Sequence, residues 1–246
     1  MRFLVFGEKC EDIFQYGSAI RLDPAAPAPV MIPHRRTVNL GMAGNVVNNL
    51  KSLGAEVVFY SQTNSITKTR FVDDKTNHLL MRLDVGDAET RPLSVDFIKT
   101  IDFNDFDCVV VSDYCKGFLV YEAIEEICKR HENVFIDTKK IINDKFSNVN
   151  FMKINSFEYA LSKDSIANVD GLEDKLIITT AKEGCTYRGT SYPVSEVEVK
   201  DHSGAGDTFL AALSFKYTES KDIELAIRFA NECATKVVSK RGVSVI

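Results

Sequence analysis

The stretch Asp201-His202-Ser203-Gly204-Ala205-Gly206-Asp207-Thr208-Phe209 decides how the rest of the chain is read. It is a Gly-Ala-Gly turn opening directly into an apolar run, since Phe209, Leu210, Ala211, Ala212, Leu213 and Phe215 follow. A helix from about Asp207 through Phe215 would be apolar on nearly every side and so belongs in a core. Its N-terminus carries unpaired backbone N–H groups and a partial positive charge. The glycines let an anion approach that backbone, so the pattern predicts an anion site, with phosphate the natural occupant. Asp207 complicates this, because a carboxylate beside such a turn repels an anion. One reading makes it a helix cap. The other makes it a general base, taking the proton of an attacking hydroxyl while the turn holds a phosphoryl group in transit. No Gly-Lys-Ser/Thr follows, so the stretch is not a Walker A loop. Phe209 stands where a dinucleotide fingerprint has its third glycine.

Composition sets the outer bounds. The chain has 246 residues, 45% hydrophobic and 26% charged, which suits one α/β domain with an appendage, or two small domains. A formal net charge of −5 gives no global field favouring nucleic acid or acidic membranes. The basic trio His34-Arg35-Arg36 reads as a solvated turn. Cys10, Cys108, Cys115, Cys128, Cys185 and Cys233 show neither a C-x-x-C pair nor metal spacing. They read mostly as buried free thiols, which predicts a reducing, cytoplasmic location. The start, Met1 to Gly7, is too short for a signal peptide and reads as a first strand. No run approaches the ~20 apolar residues of a membrane span.

Along the chain, Phe3–Phe6, Glu56–Tyr60, Cys108–Val111, Val134–Ile136, Asn150–Ile154 and Lys175–Thr179 read as strands. Helices are expected over 41–53, 93–101, 121–130 and 222–239. The alternation predicts a mostly parallel sheet with helices on both faces. Arg21 to Val30, rich in proline, reads as a rigid loop. Thr69 to Asp84, with Asp73-Asp74-Lys75-Thr76 at its centre, reads as a β-hairpin. Taken singly, Asp12 is a loop carboxylate, Ser112 to Gly117 a polar loop and Asn231 a surface residue. Asn155 with Glu158 is a capping-box pattern, and Asp201 a turn residue.

D-x-x-G-A-G-D-T-F at 201–209 resembles the signature of the ribokinase-like (PfkB-type) sugar kinases. The resemblance implies a three-layer α/β sandwich with a mostly parallel sheet and a small β lid. It implies a single kinase domain over 1–246, with lid segments at about 13–38 and 67–86. The implied activity is transfer of the ATP γ-phosphoryl group to a sugar hydroxyl. Asp207 would be the base, and Gly204, Ala205 and Gly206 the anion hole. Gly7-Glu8-Lys9-Cys10-Glu11-Asp12 is close to the family's G-D-x-x-x-D, which implies that Asp12 holds the sugar. Gly41 and Asn45 match a sugar-binding segment in which Met42 replaces a second glycine. Asn155 and Glu158 match N-x-x-E, implying contacts to ATP phosphates and, from Glu158 through water, to Mg2+. Thr179 and Gly184 match T-x-G-x-x-G near the nucleotide, with Ala181 in place of the middle glycine. Ala230 and Asn231 fall where the family borders adenine, and Gly242 where it also has glycine. Asp201 begins the family's cation loop, which makes it a candidate for a monovalent cation such as K+.

Three stretches, Arg21 to Val30, Thr69 to Asp84 and Ser112 to Gly117, resemble one branch, the heptose-7-phosphate kinases of ADP-heptose and lipopolysaccharide synthesis. That implies the anomeric hydroxyl of a heptose 7-phosphate as acceptor, with Lys116 meeting the substrate phosphate. A kinase for another sugar and a non-catalytic binding relative stay open. The chain passes from Ser61 to Ile66 almost directly into Thr67, so it reads as shortened after Gln62 relative to the family. No nucleotidyltransferase domain is recognised, so the second enzyme of such a pathway is expected on a separate chain. A short lid sheet leaves open edges, which predicts a homodimer through the lid.

Overall fold

The computed structural model describes residues 1–240 and 244–246, and Gly242 lies outside them. In chain order, β1 (Arg2–Gly7) leads into two long strands, β2 (Lys9–Leu22) and β3 (Pro29–Met42), then α1 (Ala43–Ser52) and β4 (Glu56–Tyr60). A hairpin follows, β5 (Thr67–Asp73) and β6 (Leu79–Val85), then α2 (Val95–Thr100), β7 (Cys108–Asp113), α3 (Tyr121–Arg130) and β8 (Val134–Thr138). The last part holds β9 (Phe151–Asn155), α4 (Ser156–Ile166), β10 (Leu176–Thr179), β11 (Cys185–Tyr187), β12 (Thr190–Tyr192), α5 (Ala205–Ser220) and α6 (Ile223–Val238).

The main sheet has the order β12-β11-β10-β9-β8-β7-β1-β4. From β4 to β10 the pairs are parallel, while β11 and β12 run antiparallel. Residue alternation along the strands feeds two cores. Leu4 and Phe6 of β1 pack with Ile98, Ile124, Ile127 and Ile166. Phe3 and Val5 pack with Val46, Leu50, Leu210, Leu213 and Ile227. Helices α2, α3 and α4 therefore cover one face and α1, α5 and α6 the other, which makes three layers. The three-residue strands β11 and β12 are too short to show a period in the sequence. No helix among the described residues is long and apolar enough to cross a membrane.

The second sheet has the order β3-β2-β5-β6. It is larger than a hairpin with one added segment, and it changes several expectations. Asp12 lies inside a strand rather than in a loop. His34-Arg35-Arg36 lies in β3, not in a turn, and the Arg35 guanidinium sits 3.6 Å from the Tyr16 ring centroid. Arg21 and Leu22 finish β2 and Pro29 starts β3, so the proline-rich loop is confined to 23–28. Pro29 and Pro33 are accommodated because β3 is an edge strand. The short link after Gln62 roots this sheet to the main one. Gln62 donates from Nε2 to the Lys9 carbonyl (2.6 Å) and accepts the Lys9 N–H (3.0 Å).

Met42, the residue standing in place of a glycine, ends β3 at φ 56°, ψ −139°. Side chains rarely adopt that backbone conformation, and here the methionine is buried with Cys10 and Ile66. Ala181, the other replaced glycine, also sits at positive φ (52°). At both positions the backbone keeps a conformation that glycine would adopt without strain.

Glu8, next after β1, is fully buried. Its carboxylate accepts the backbone N–H groups of Tyr114 (2.8 Å), Lys116 (3.0 Å) and Phe118 (3.2 Å). Burial and the neighbouring Asp113 push the Glu8 carboxyl up, and backbone N–H bonds, among them those of Tyr114 and Lys116, oppose them. Glu8→Gln replaces one acceptor oxygen by an NH2 and strands at least one of those amides. We expect a stability loss of about 1–3 kcal/mol, read as a lower urea midpoint at unchanged m. An unchanged midpoint would contradict this account of Glu8.

Candidate active site

The turn at 204–206 starts α5. Gly204 is the N-cap residue in the left-handed region (φ 82°), a conformation glycine adopts without strain, and no side chain caps the helix. The Ala205 N–H reaches the His202 carbonyl (3.4 Å), so the next amides of the first turn, at Gly206 and Asp207, are the ones left for a ligand. The capping reading of Asp207 is excluded by this placement, because Asp207 is the third residue inside the helix. The apolar run is buried from Asp207 through Ser214, and the helix extends beyond the expected span at both ends.

Asp207 is 5% exposed. Tyr114 donates its hydroxyl to Oδ1 (2.6 Å), and Asn45 donates its amide to Oδ2 (3.2 Å) and to the Gly204 carbonyl (3.4 Å). Asn49 holds Asn45 in turn, donating to its side-chain oxygen at 3.2 Å. Burial pushes the Asp207 carboxyl up from 3.8 to about 6. The hydrogen bonds from Tyr114 and Asn45 and the charge of Lys153 pull the other way, and Asp137 adds to the rise. Lys139 and Cys10 also feel its charge. Burial, followed by the Asp207 and Asp137 charges, raises the Tyr114 hydroxyl well above 10, so it stays a donor.

Asp207 and the turn line a cleft of about 690 Å³. Asn155, Thr179, Gly184 and Asn231 line the same cleft. Asn155 and Glu158 form the full capping box: the Glu158 N–H donates to Asn155 Oδ1 (2.9 Å) and the Asn155 N–H to Glu158 Oε2 (2.8 Å). Glu158 Oε1 accepts the Lys139 ammonium. Thr179 donates its hydroxyl to the Ile154 carbonyl (3.3 Å). At Gly184 a Cβ would lie 2.1 Å from the Tyr192 carbonyl oxygen. Asn231 is buried rather than on the surface, its amide donating to that same carbonyl (2.9 Å).

Three charged residues of this cleft received no role from the sequence. Lys153, 4% exposed, donates to Asp137 Oδ2 (2.6 Å), and Lys139 Nζ lies 3.8 Å from Asp137 Oδ1. Asp137 Oδ1 is buried without a hydrogen-bond partner among the described residues. A signal was available for Lys153: a lysine inside the buried strand Phe-Met-Lys-Ile-Asn is a charge in an expensive place.

The remaining residues singled out lie elsewhere. Asp12 is ion-paired with Arg70. A Cβ on Gly41 would lie 2.3 Å from Asp12 Oδ2, so Gly41 makes room for that carboxylate. The Lys116 ammonium is paired with Asp87, just beyond β6. Asp12, Gly41 and Lys116 are outside the cleft lining, and Asn45 joins the site through Asp207. Asp201 Oδ1 accepts the Ser203 N–H (2.8 Å), a turn arrangement. Among the described residues no group of three or more His, Cys, Asp or Glu side chains is placed to hold a metal. The site therefore fits Mg2+ only as an ion held largely by phosphates and water.

The pfkB family carbohydrate kinase profile matches residues 60–245. The bifunctional protein HldE of Helicobacter pylori is 31% identical over 294 aligned positions, covering 98% of this chain and 63% of the relative. HldE of Bradyrhizobium diazoefficiens is 28% identical, covering 99% of this chain and 60% of the relative. The chain thus spans under two thirds of the length of these relatives. With 294 aligned positions against 246 residues, it is also the shorter partner within the match. Among solved structures, Thermotoga maritima ribokinase superposes with a TM-score of 0.68 at 20% identity, covering 98% of this chain and 94% of that one. Arabidopsis thaliana ribokinase complexed with ribose and ATP gives 0.69 at 13% identity, covering 98% and 93%. The fold is ribokinase-like, and the matched stretch takes in both the uncapped turn and its buried carboxylate: the chain belongs to the pfkB family of carbohydrate kinases.

Proposed function

We propose that the chain is an ATP-dependent sugar kinase passing the γ-phosphoryl group to a hydroxyl of a phosphorylated sugar. The observation that carries this reading is Asp207, a buried carboxylate with a pKa near 6, set one turn into a helix whose N-terminus is uncapped. A base needs a pKa close to the working pH, and a developing phosphoryl charge needs preorganised N–H donors. In this reading Asp207 takes the acceptor proton as the new O–P bond forms. The bond between γ-phosphorus and the bridging oxygen breaks, its electron pair leaving on ADP. The backbone of Gly204, Ala205 and Gly206 faces the charge in transit. Asn45 and Tyr114 keep Asp207 aimed. Mg2+, when bound, would neutralise phosphate charge, with Asn155 and Glu158 holding its waters. Thr179, Gly184 and Asn231 serve the nucleotide, and Asp12 and Gly41 the sugar; Asn45, 1% exposed and bonded through both amide atoms, serves Asp207 instead.

The anomeric hydroxyl of a heptose 7-phosphate is the acceptor we favour. The three stretches that follow that branch support it. One observation favours another sugar: Lys116 already has Asp87 as its partner, so a substrate phosphate must displace it. ADP release across a panel of free and phosphorylated sugars decides between them. Phosphorylated sugars should be preferred at least tenfold, the scale of one charge-assisted contact. Equal efficiency on free sugars would end the phosphosugar assignment and leave the kinase.

Asp207→Asn should lower turnover by at least ~10²-fold while nucleotide affinity survives, since the amide is nearly isosteric. Turnover near that of the unaltered protein would remove the kinase reading itself.

We also propose a homodimer through the second sheet, which serves as the lid. Leu79, Met81, Leu83 and Val85 are exposed along β6, an edge strand. Contiguous exposed apolar surface of this kind marks an interaction site. Sedimentation equilibrium at micromolar concentration should return twice the chain mass; a monomer would contradict the pairing.

A further inference from the structure

Lys153 has no role in the account so far, yet its position is unusual. It sits on β9 with its side chain 4% exposed. A Cβ placed on Gly206 would lie 3.0 Å from its ammonium nitrogen. Gly206 belongs to the turn whose amides face the cleft, and both residues line that cleft. The ammonium therefore stands beside the turn's backbone, against Gly206 and on the same cleft. Among the described residues Asp137 is its one hydrogen-bond partner. An ammonium has three N–H donors, so two are not spent on the protein. Asp137 keeps the buried cation compensated and fixes where it points.

We propose that Lys153 is a catalytic residue of this chain, binding the phosphoryl group in transit at the turn 204–206. The inference rests on the kinase reading above. The turn supplies dipoles and Lys153 a full charge. That charge stabilises three equatorial oxygens better than backbone amides alone. A purely structural lysine would be a poor choice here, because an apolar residue in β9 beside a neutral partner at 137 would be less costly to bury.

The γ-phosphoryl group distinguishes ATP from ADP, so the test is an affinity ratio and needs no turnover. ATP and ADP binding are measured by calorimetry without sugar, in the unaltered protein and in the double variant Asp137→Asn/Lys153→Met. The double variant removes the buried ion pair as a unit, so neither protein buries an unpaired charge of that pair. The unaltered protein should bind ATP in preference to ADP. The double variant should lose at least about tenfold in ATP affinity and change in ADP affinity less than twofold. Turnover of the double variant should fall below that of the unaltered protein. If ATP and ADP weaken equally, or neither changes, Lys153 does not meet the transferred group. If the unaltered protein phosphorylates no sugar, the kinase reading fails, and the affinity ratio still reports whether Lys153 meets a terminal phosphate.

Discussion

The constraint on which the site depends is the burial of one carboxylate. Asp207 carries a pKa raised to about 6, so holding it ionised at neutral pH costs folding on the order of 3 kcal/mol. The sign follows from the raised value: that cost is absent below the unfolded value of 3.8, grows as pH rises from there to about 6, and is complete above it. A protein accepts such a cost where the strained group has work to do. Everything adjacent limits the cost without removing it. Tyr114 and Asn45 donate hydrogen bonds, Lys153 supplies a positive charge, and α5 presents its positive end. Burial outweighs them together, so the carboxyl stays above an ordinary aspartate value.

The rest of the fold can be followed outward from that carboxylate. Asn45 comes from α1, directly after the second sheet. Tyr114 follows β7 and is held by its backbone N–H on buried Glu8. Glu8 follows β1, the strand that joins both cores. Asp137, Lys139 and Lys153 come from β8 and β9 and their ends. Most of these groups sit at the carboxyl ends of parallel strands, where open α/β sheets place their ligand crevices. The second sheet is attached at the same level by Gln62 and Lys9. This places Asp12 and Gly41 beside the cleft's neighbourhood rather than within its lining.

Much of this was legible in the chain, for identifiable reasons. The apolar run after Asp207 could only be a core helix, and the β-branched run at 109–111 could only be a buried strand. The capping box at Asn155 and Glu158 and the helix at 121–130 are local patterns, and they appear where local rules put them. What was not legible is non-local. The trio at 34–36 reads as loop because its strand is polar and exposed there, and Asp12 because a lone carboxylate gives no strand signal although its neighbours Ile13 and Phe14 are buried. The ion pairs of Arg70 with Asp12, Lys116 with Asp87 and Lys153 with Asp137 join residues far apart in sequence. Asn231 looks like a surface asparagine until the Tyr192 carbonyl is placed above it. The positive φ at Met42 and Ala181 was foreshadowed only as replaced glycines.

In the proposed reaction Asp207 works as a base because burial holds its carboxyl near 6. The direct measurement is kcat/KM against pH with a phosphorylated sugar, in the unaltered protein and in Tyr114→Phe. The base must be ionised, so activity should fall as pH drops through about 6. Tyr114 lowers that pKa by its hydrogen bond, so removing the hydroxyl should move the acid limb to higher pH. A limb near 4, the value of an exposed aspartate, or a limb that stays in place in Tyr114→Phe, would contradict the account.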